Sequence, residues 1–226
     1  EECVSNADVV IVTVPISVTV DVIKKIGPHV RKNSLFMDLT SIKEEPVKAM
    51  KKFSKAEVVG AHPVFGPSVN SIRDQTVVLC PARGKKWFLW LKKLLEENGA
   101  KIKVTKPAHH DKLMAVIQGV IHFSSITISH TLRELGIGAR ESEEFSSPIY
   151  KLRLDMVGRI LNQDPKLYAD IEILNPRSRK AIRTYLKTSK RLLKLIEIGD
   201  TEGFVKYFKE AADYLGDFKK EAEEYS

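Results

Sequence analysis

The chain has 226 residues, with 37 Lys and Arg against 29 Asp and Glu, a formal charge of +8 with histidine neutral. That length fits one large or two small domains, and 43% hydrophobic residues exclude wholesale disorder. No apolar run approaches the ~18–20 uncharged residues of a membrane span, and a disulfide framework or cysteine-built zinc site is excluded by having only Cys3 and Cys80.

No basic-then-apolar leader opens the chain, so the expectation is a soluble cytoplasmic protein with no membrane partner. The first half alternates strand and helix signals. ADVVIVTVP (7–15) is a short β-branched run closed by Pro15, suited to a strand covered on both faces. SVTVDVIKKIGPHV follows with helical spacing and a Gly27-Pro28 stop. SLFMDLT (34–40) is a second strand, and SIKEEPVKAMKKF opens with Ser41 and Glu44 at capping-box spacing. AEVVGAHP (56–63) and TVVLCP (76–81) are further strands. KKWFLWLKKLLEENG is an amphipathic helix ended by Gly99, and AKIKVT (100–105) is an alternating edge strand. Such alternation predicts an α/β fold with a doubly wound parallel sheet.

After KPAHHD the pattern turns helical. DKLMAVIQGVIHFSSITISHTLREL reads as one long, largely buried helix, and SPIYKLRLDMVGRILNQ has Pro148 at a favoured start. DPKLYADIEILN, PRSRKAIRTYLKTSKRLLKLIEIG and the C-terminal segment complete an all-helical half. The predicted domains are therefore 1–105 and 106–226. Most of the positive surplus lies in the first 104 residues (+6 of +8), which suits a small anionic ligand or nucleic acid. The basic run 177–194 has helical apolar spacing, which reads as a solvated face, so no nucleic-acid partner is expected.

A dinucleotide domain usually opens with a strand, a Gly-x-Gly-x-x-Gly turn and a helix. No such turn precedes the first strand, and Gly136-Ile-Gly138 reads as a helix end. The sheet domain is therefore incomplete. In GAHPVFGP, His62 falls at a strand end, where it is either a general base or a loop cap. Ser41 in DLTSIK is a helix N-cap and can also face the ligand crevice, with Lys43 read as solvated. Arg159 lies among Met156, Val157, Ile160 and Leu161, so its charge needs a buried anionic partner, either a ligand carboxylate or an internal acid. His122 is a core histidine or a ligand contact. His109 and His110 read as a helix-entry cap, and no metal site is expected.

ADVVIVTVPISVT, DLTSIK, GAHPVFGP, HHDKLMAVIQGVIHF and SSPIYKLRLDMVGRILNQDPKLYADI together resemble the prephenate dehydrogenases of tyrosine biosynthesis, in order and over nearly the whole chain. The resemblance implies a Rossmann-like domain, then an all-helical domain that forms a homodimer. It implies oxidative decarboxylation of prephenate to 4-hydroxyphenylpyruvate, with a hydride passing to NAD or NADP, NAD being the first choice. On that resemblance His62 is the catalytic histidine and Ser41 orients it. Arg159 grips a substrate carboxylate, His122 lies near the substrate side chain or an inhibiting tyrosine, and Val14-Pro15 passes beside the cofactor. The family's glycine-rich phosphate loop is expected N-terminal to Glu1. The rivals are a dehydrogenase of another hydroxy acid, which needs a catalytic lysine in the helical half, and a non-catalytic dimeric module that binds prephenate or tyrosine.

Overall fold

The computed structural model describes residues 2–66 and 69–223, so Pro67 of the His62 loop lies outside the described residues. After a short helix α1 (Glu2–Asn6), five strands form one sheet in the order β1 (Val9–Val12), β2 (Leu35–Asp38), β3 (Glu57–Pro63), β4 (Thr76–Arg83) and β5 (Lys101–Val104). Helices α2 (Ile16–Ile26), α3 (Glu44–Phe53) and α4 (Lys86–Glu97) connect them. The β1–β2, β2–β3 and β4–β5 pairs are parallel, as the alternation predicts.

The β3–β4 pair is antiparallel, which corrects the all-parallel expectation. The link from Val64 to Gln75 supplies no helix among its described residues, so the chain turns back instead of crossing over. The edge position of β5 is as expected.

Period-two alternation explains why β2 is buried throughout. Phe36 joins Val10, Val12, Ile23, Val47, Met50 and Val58 in one core. Leu35 and Met37 join Val59, Ala61, Val77, Leu79 and Leu91 in another. Each fully buried side chain of this size contributes about 1.5–3 kcal/mol. Gly60 sits where α3 comes closest to the sheet, and a Cβ there would lie 2.5 Å from Val47 Cγ2. Only glycine fits that approach.

Val12, Asp38 and Gly60 stand in register. The chain leaves the sheet after Val12 and Asp38, while β3 runs on past Gly60 to Pro63, so His62 lies on the same carboxyl side.

The helical part begins with α5 (Pro107–Met114), one π-helical turn (Ala115–Val120) and α6 (Ile121–Glu134), in place of the uninterrupted α-helix expected. By length and composition Pro107–Glu134 is apolar enough to cross a membrane, contrary to the sequence expectation. Only 28% of its most apolar window is buried, so it is also less buried than expected. Its buried positions include His110, Asp111, His122, Ser124 and Ser125. Gly136 has φ +68° just beyond α6, the helix-ending role expected of it.

Four helices follow: α7 (Ala139–Glu144), α8 (Pro148–Leu161), α9 (Pro165–Leu174) and α10 (Ser178–Glu197). Ser147 and Asp164 cap α8 and α9 through the amides of Tyr150 and Lys166. Asp170 on α9 accepts the Ser17 amide at the start of α2, at 3.1 Å. Ile171 packs with Ile16 and Ile42.

The chain divides into two compact units, one through Ala181 and one from Ile182. The second holds the rest of α10 with α11 (Thr201–Leu215) and α12 (Phe218–Glu223). Within it, Arg191 lies over the Tyr207 ring at 5.0 Å.

Candidate active site

A cleft of about 310 Å³ opens where β1, β2 and β3 end. Val14 and Pro15 line it after β1, Ser41 after β2, His62 and Phe65 from β3 and its loop, and Leu167 from α9. The structure thus brings together four of the residues singled out in the sequence.

Ser41 does not cap α3. That helix starts at Glu44 without a side-chain cap of its own. The Asp111 carboxylate accepts the Lys43 amide at 2.8 Å and the Glu44 amide at 2.9 Å, from 68 and 67 residues away. The Glu44 side chain pairs with Arg177 at 2.6 Å. The predicted capping box is replaced by a tertiary cap, and Ser41 is left to the cleft wall.

Behind His62 lies a buried polar network. His62 Nδ1 is 2.9 Å from His110 Nε2, and His110 Nδ1 is 2.7 Å from Asp111 Oδ1. Lys43, read from sequence as solvated, is fully buried. Its Nζ bonds Asp38 and donates to the Ala61 carbonyl at 2.7 Å. Burial lowers the Lys43 pKa against the opposing pull of Asp38.

Thr40 donates to Asp38 Oδ2 through its hydroxyl and its amide. Burial, then the charges of His110 and Lys43, hold the His62 pKa well below 6.5. Burial pushes the Cys80 thiol up to about 12, which makes it an inert core residue. His62 is therefore a neutral imidazole at a cleft wall, the state a general base requires.

His110 and Asp111 are the members that sequence reasoning missed. It took the HHD segment for a helix-entry cap. Asp111 does cap a helix, but that helix is α3. The one local signal was an adjacent imidazole and carboxylate opening an apolar helix.

His122 belongs to a second group. Its ring lies 4.5 Å from the Tyr168 ring, and its Nδ1 is 3.2 Å from Glu172 Oε1. That distance suits an ion pair but lacks hydrogen-bond geometry, and both Glu172 oxygens are buried without a hydrogen-bond partner. Gln118 Oε1 and Ser178 Oγ are in the same condition. Tyr168 and Glu172 line a cavity of about 260 Å³ with Ile126, Ile160 and Gln163.

Arg159 corrects an expectation. It is exposed and makes no ion pair among the described residues, though its charge acts on Tyr168. On this part of α8 only Val157 turns fully inward, while Met156 and Leu161 are themselves exposed. The apolar surroundings read from sequence are a surface stripe, so no buried counter-charge is needed. Arg159 does not line the His62 cleft. Helix α9 contributes to both cavities, through Leu167 to one and Tyr168 to the other.

The profile described as prephenate dehydrogenase, nucleotide-binding domain, matches residues 1–104. The profile described as prephenate dehydrogenase, dimerization domain, matches 106–210. A probable arogenate/prephenate dehydrogenase of Methanocaldococcus jannaschii is 44% identical over the whole chain, which covers 52% of that protein. The T-protein of Haemophilus influenzae is 37% identical over 98% of the chain, covering 59% of its own length. The chain thus spans little more than half of these relatives.

Among solved structures, prephenate dehydrogenase from Aquifex aeolicus, in complex with hydroxyphenyl propionate and NAD+, superposes with a TM-score of 0.74 at 22% identity. That match covers 93% of this chain and 76% of the other, a likeness of fold. With both halves of the chain matched in order by one family's two domains, this chain belongs to the prephenate dehydrogenase family.

Proposed function

We propose that the chain is the catalytic part of an NAD(P)-dependent dehydrogenase that converts prephenate to 4-hydroxyphenylpyruvate and carbon dioxide. The observation that carries this reading is His62, held neutral and tied back at Nδ1, at a cleft on the carboxyl edge of the sheet. Ligands of open α/β sheets bind at that edge. The cleft wall at Val14, Pro15 and Ile16 fits the nicotinamide end of a cofactor, with NAD the first choice. When bound, the nicotinamide accepts a hydride from the hydroxyl-bearing ring carbon.

His62 takes the hydroxyl proton as that carbon becomes a carbonyl. Loss of the ring carboxylate as carbon dioxide then sends its electron pair into the ring. The phenolic oxygen so formed regains a proton from His62. Ser41, on the same wall, orients the hydroxyl. Arg159 beside Tyr168 offers a guanidinium to a substrate carboxylate, a pairing suited to two parallel hydrogen bonds.

A second reading is supported by Glu172. Its unpartnered carboxylate beside His122 matches an ammonium group, which arogenate carries where prephenate has a ketone. Tyrosine carries the same ammonium, which makes it the inhibitor this wall suits.

Exposed Ile149, Leu152 and Met156 recur at helical spacing on α8, and Phe145 is exposed in the link before it. An apolar stripe of this kind suits a homodimer contact in the helical domain. Free thiols at Cys3 and Cys80 accord with a reducing cytoplasm.

The test is reduction of NAD and of NADP by the native-length protein with prephenate and with arogenate. Prephenate turnover is expected. No turnover of either compound with either cofactor overturns the reading, and tyrosine binding without turnover would favour the binding module.

A further inference from the structure

We propose that His110 and Asp111 are positioning residues that fix the tautomer of His62, leaving Nε2 as its proton-accepting atom. The argument starts at Asp111. Its Oδ1 accepts the Lys43 amide and its Oδ2 the Glu44 amide. Backbone amides can only donate, so the carboxylate is held as an acceptor. It therefore meets His110 Nδ1 as an acceptor too, and that nitrogen carries the hydrogen.

A neutral imidazole has one N–H. In the neutral form of His110, Nε2 is then a lone pair, and the 2.9 Å contact requires the hydrogen on His62 Nδ1. His62 Nε2, on the far side of the ring, is left without a hydrogen. His62 lines the cleft while its Nδ1 faces His110, so that lone pair is the one open to a hydroxyl.

The donors converge on Asp111, from the Lys43 and Glu44 amides on one side and from His62 through His110 on the other. Asn175 Nδ2 donates to the Asp111 carbonyl at 2.9 Å and steadies the same turn. His110 and Asp111 are almost wholly buried, so water does not compete for these bonds. A hydroxyl proton that reaches His62 Nε2 leaves an imidazolium whose Nδ1–H still points at the His110 lone pair. The hydrogen bond between the two rings is therefore kept when the proton arrives.

This inference deepens the reading of His62 as the base, and its test separates the two. Long-range 1H–15N NMR of histidine-labelled protein at neutral pH reads each ring's tautomer without substrate. The expected signature is a hydrogen on Nδ1 of both His62 and His110, with Nε2 of each pyridine-like. A hydrogen on His62 Nε2, or on both of its nitrogens, overturns the proposal even if the enzyme turns over.

In the folded enzyme, His110→Leu removes the acceptor. It should populate both His62 tautomers and lower kcat about tenfold or more, with KM changed less than about threefold. His110→Gln, which restores an acceptor oxygen, should recover most of the Nδ1–H signal. An unchanged His62 tautomer in His110→Leu would equally overturn it. If prephenate is not turned over but the NMR signature holds, the functional reading fails and the tautomer assignment stands.

Discussion

The two polar groups of the first unit differ in how their hydrogen bonds are met. Behind His62, nearly every buried polar atom has a partner within the protein, Asp38 Oδ1 being an exception. Around His122, both Glu172 oxygens, Gln118 Oε1, Ser178 Oγ and His122 Nδ1 have no hydrogen-bond partner, though His122 Nδ1 and Glu172 Oε1 lie 3.2 Å apart. Buried polar groups are normally paired. The first group is therefore complete in itself and holds one side chain in one protonation state. The second keeps hydrogen-bonding capacity that the protein itself does not use. On the function proposed above, the first region supplies the chemistry and the second binds the substrate side chain.

Four measurements sharpen or break that contrast. The largest effect is expected at the completed group. His62→Asn should lower kcat by about 10²–10⁴, the usual worth of a general base, with little change in KM, as steady-state kinetics would show. Wild-type activity in that variant would remove the base from the scheme.

Lys43→Met leaves the Asp38 carboxylate buried without its cation. The expected loss is about 3–5 kcal/mol of stability, read from urea unfolding. A loss under about 1 kcal/mol would show that Asp38 does not depend on Lys43.

If Arg159 grips the substrate as proposed, Arg159→Ala should raise KM about tenfold or more, in line with one charge-assisted bond of about 1.5–3 kcal/mol. Its kcat should fall far less. A fall in kcat with KM constant would move Arg159 from binding to chemistry.

The smallest effect is the pH dependence of stability. Burial, with His110 and Lys43 facing the ring and Asp111 beyond His110, keeps folded His62 neutral well below pH 6.5. The unfolded chain binds that proton near 6.5. Stability from this residue is thus complete above pH 6.5 and falls as the pH drops below it, by at most about 1.4 kcal/mol per pH unit. Denaturant melts of wild type and His62→Asn between pH 5 and 7.5 would isolate the slope. For the same reason the acid limb of kcat/KM set by His62 should lie well below 6.5.

Much of this arrangement was legible in the sequence. Runs such as ADVVIVTVP and SLFMDLT carry their burial in local composition, and strand ends locate a cleft without coordinates. Hence Val14, Pro15, Ser41 and His62 were found together. The rest depends on contacts between distant residues. Asp111 caps a helix 67 residues earlier in the chain, and nothing near Lys43 announces its burial beneath Gly60. Arg159 misled because Met156 and Leu161 look like core when read as a string, yet they lie on the surface. The reversal of β4 was missed because the strand–helix alternation on either side outweighed the lack of a helical pattern between β3 and β4.

Asp111 has a mechanical meaning as well as a chemical one. The same carboxylate holds the first turn of α3, which follows the sheet, and the ring of His110, which belongs to the long helix beyond it. Any hinge-like separation of these parts would withdraw it from both at once. A swing open there would strip the helix of its cap and His110 of its anchor together, until closure restored both.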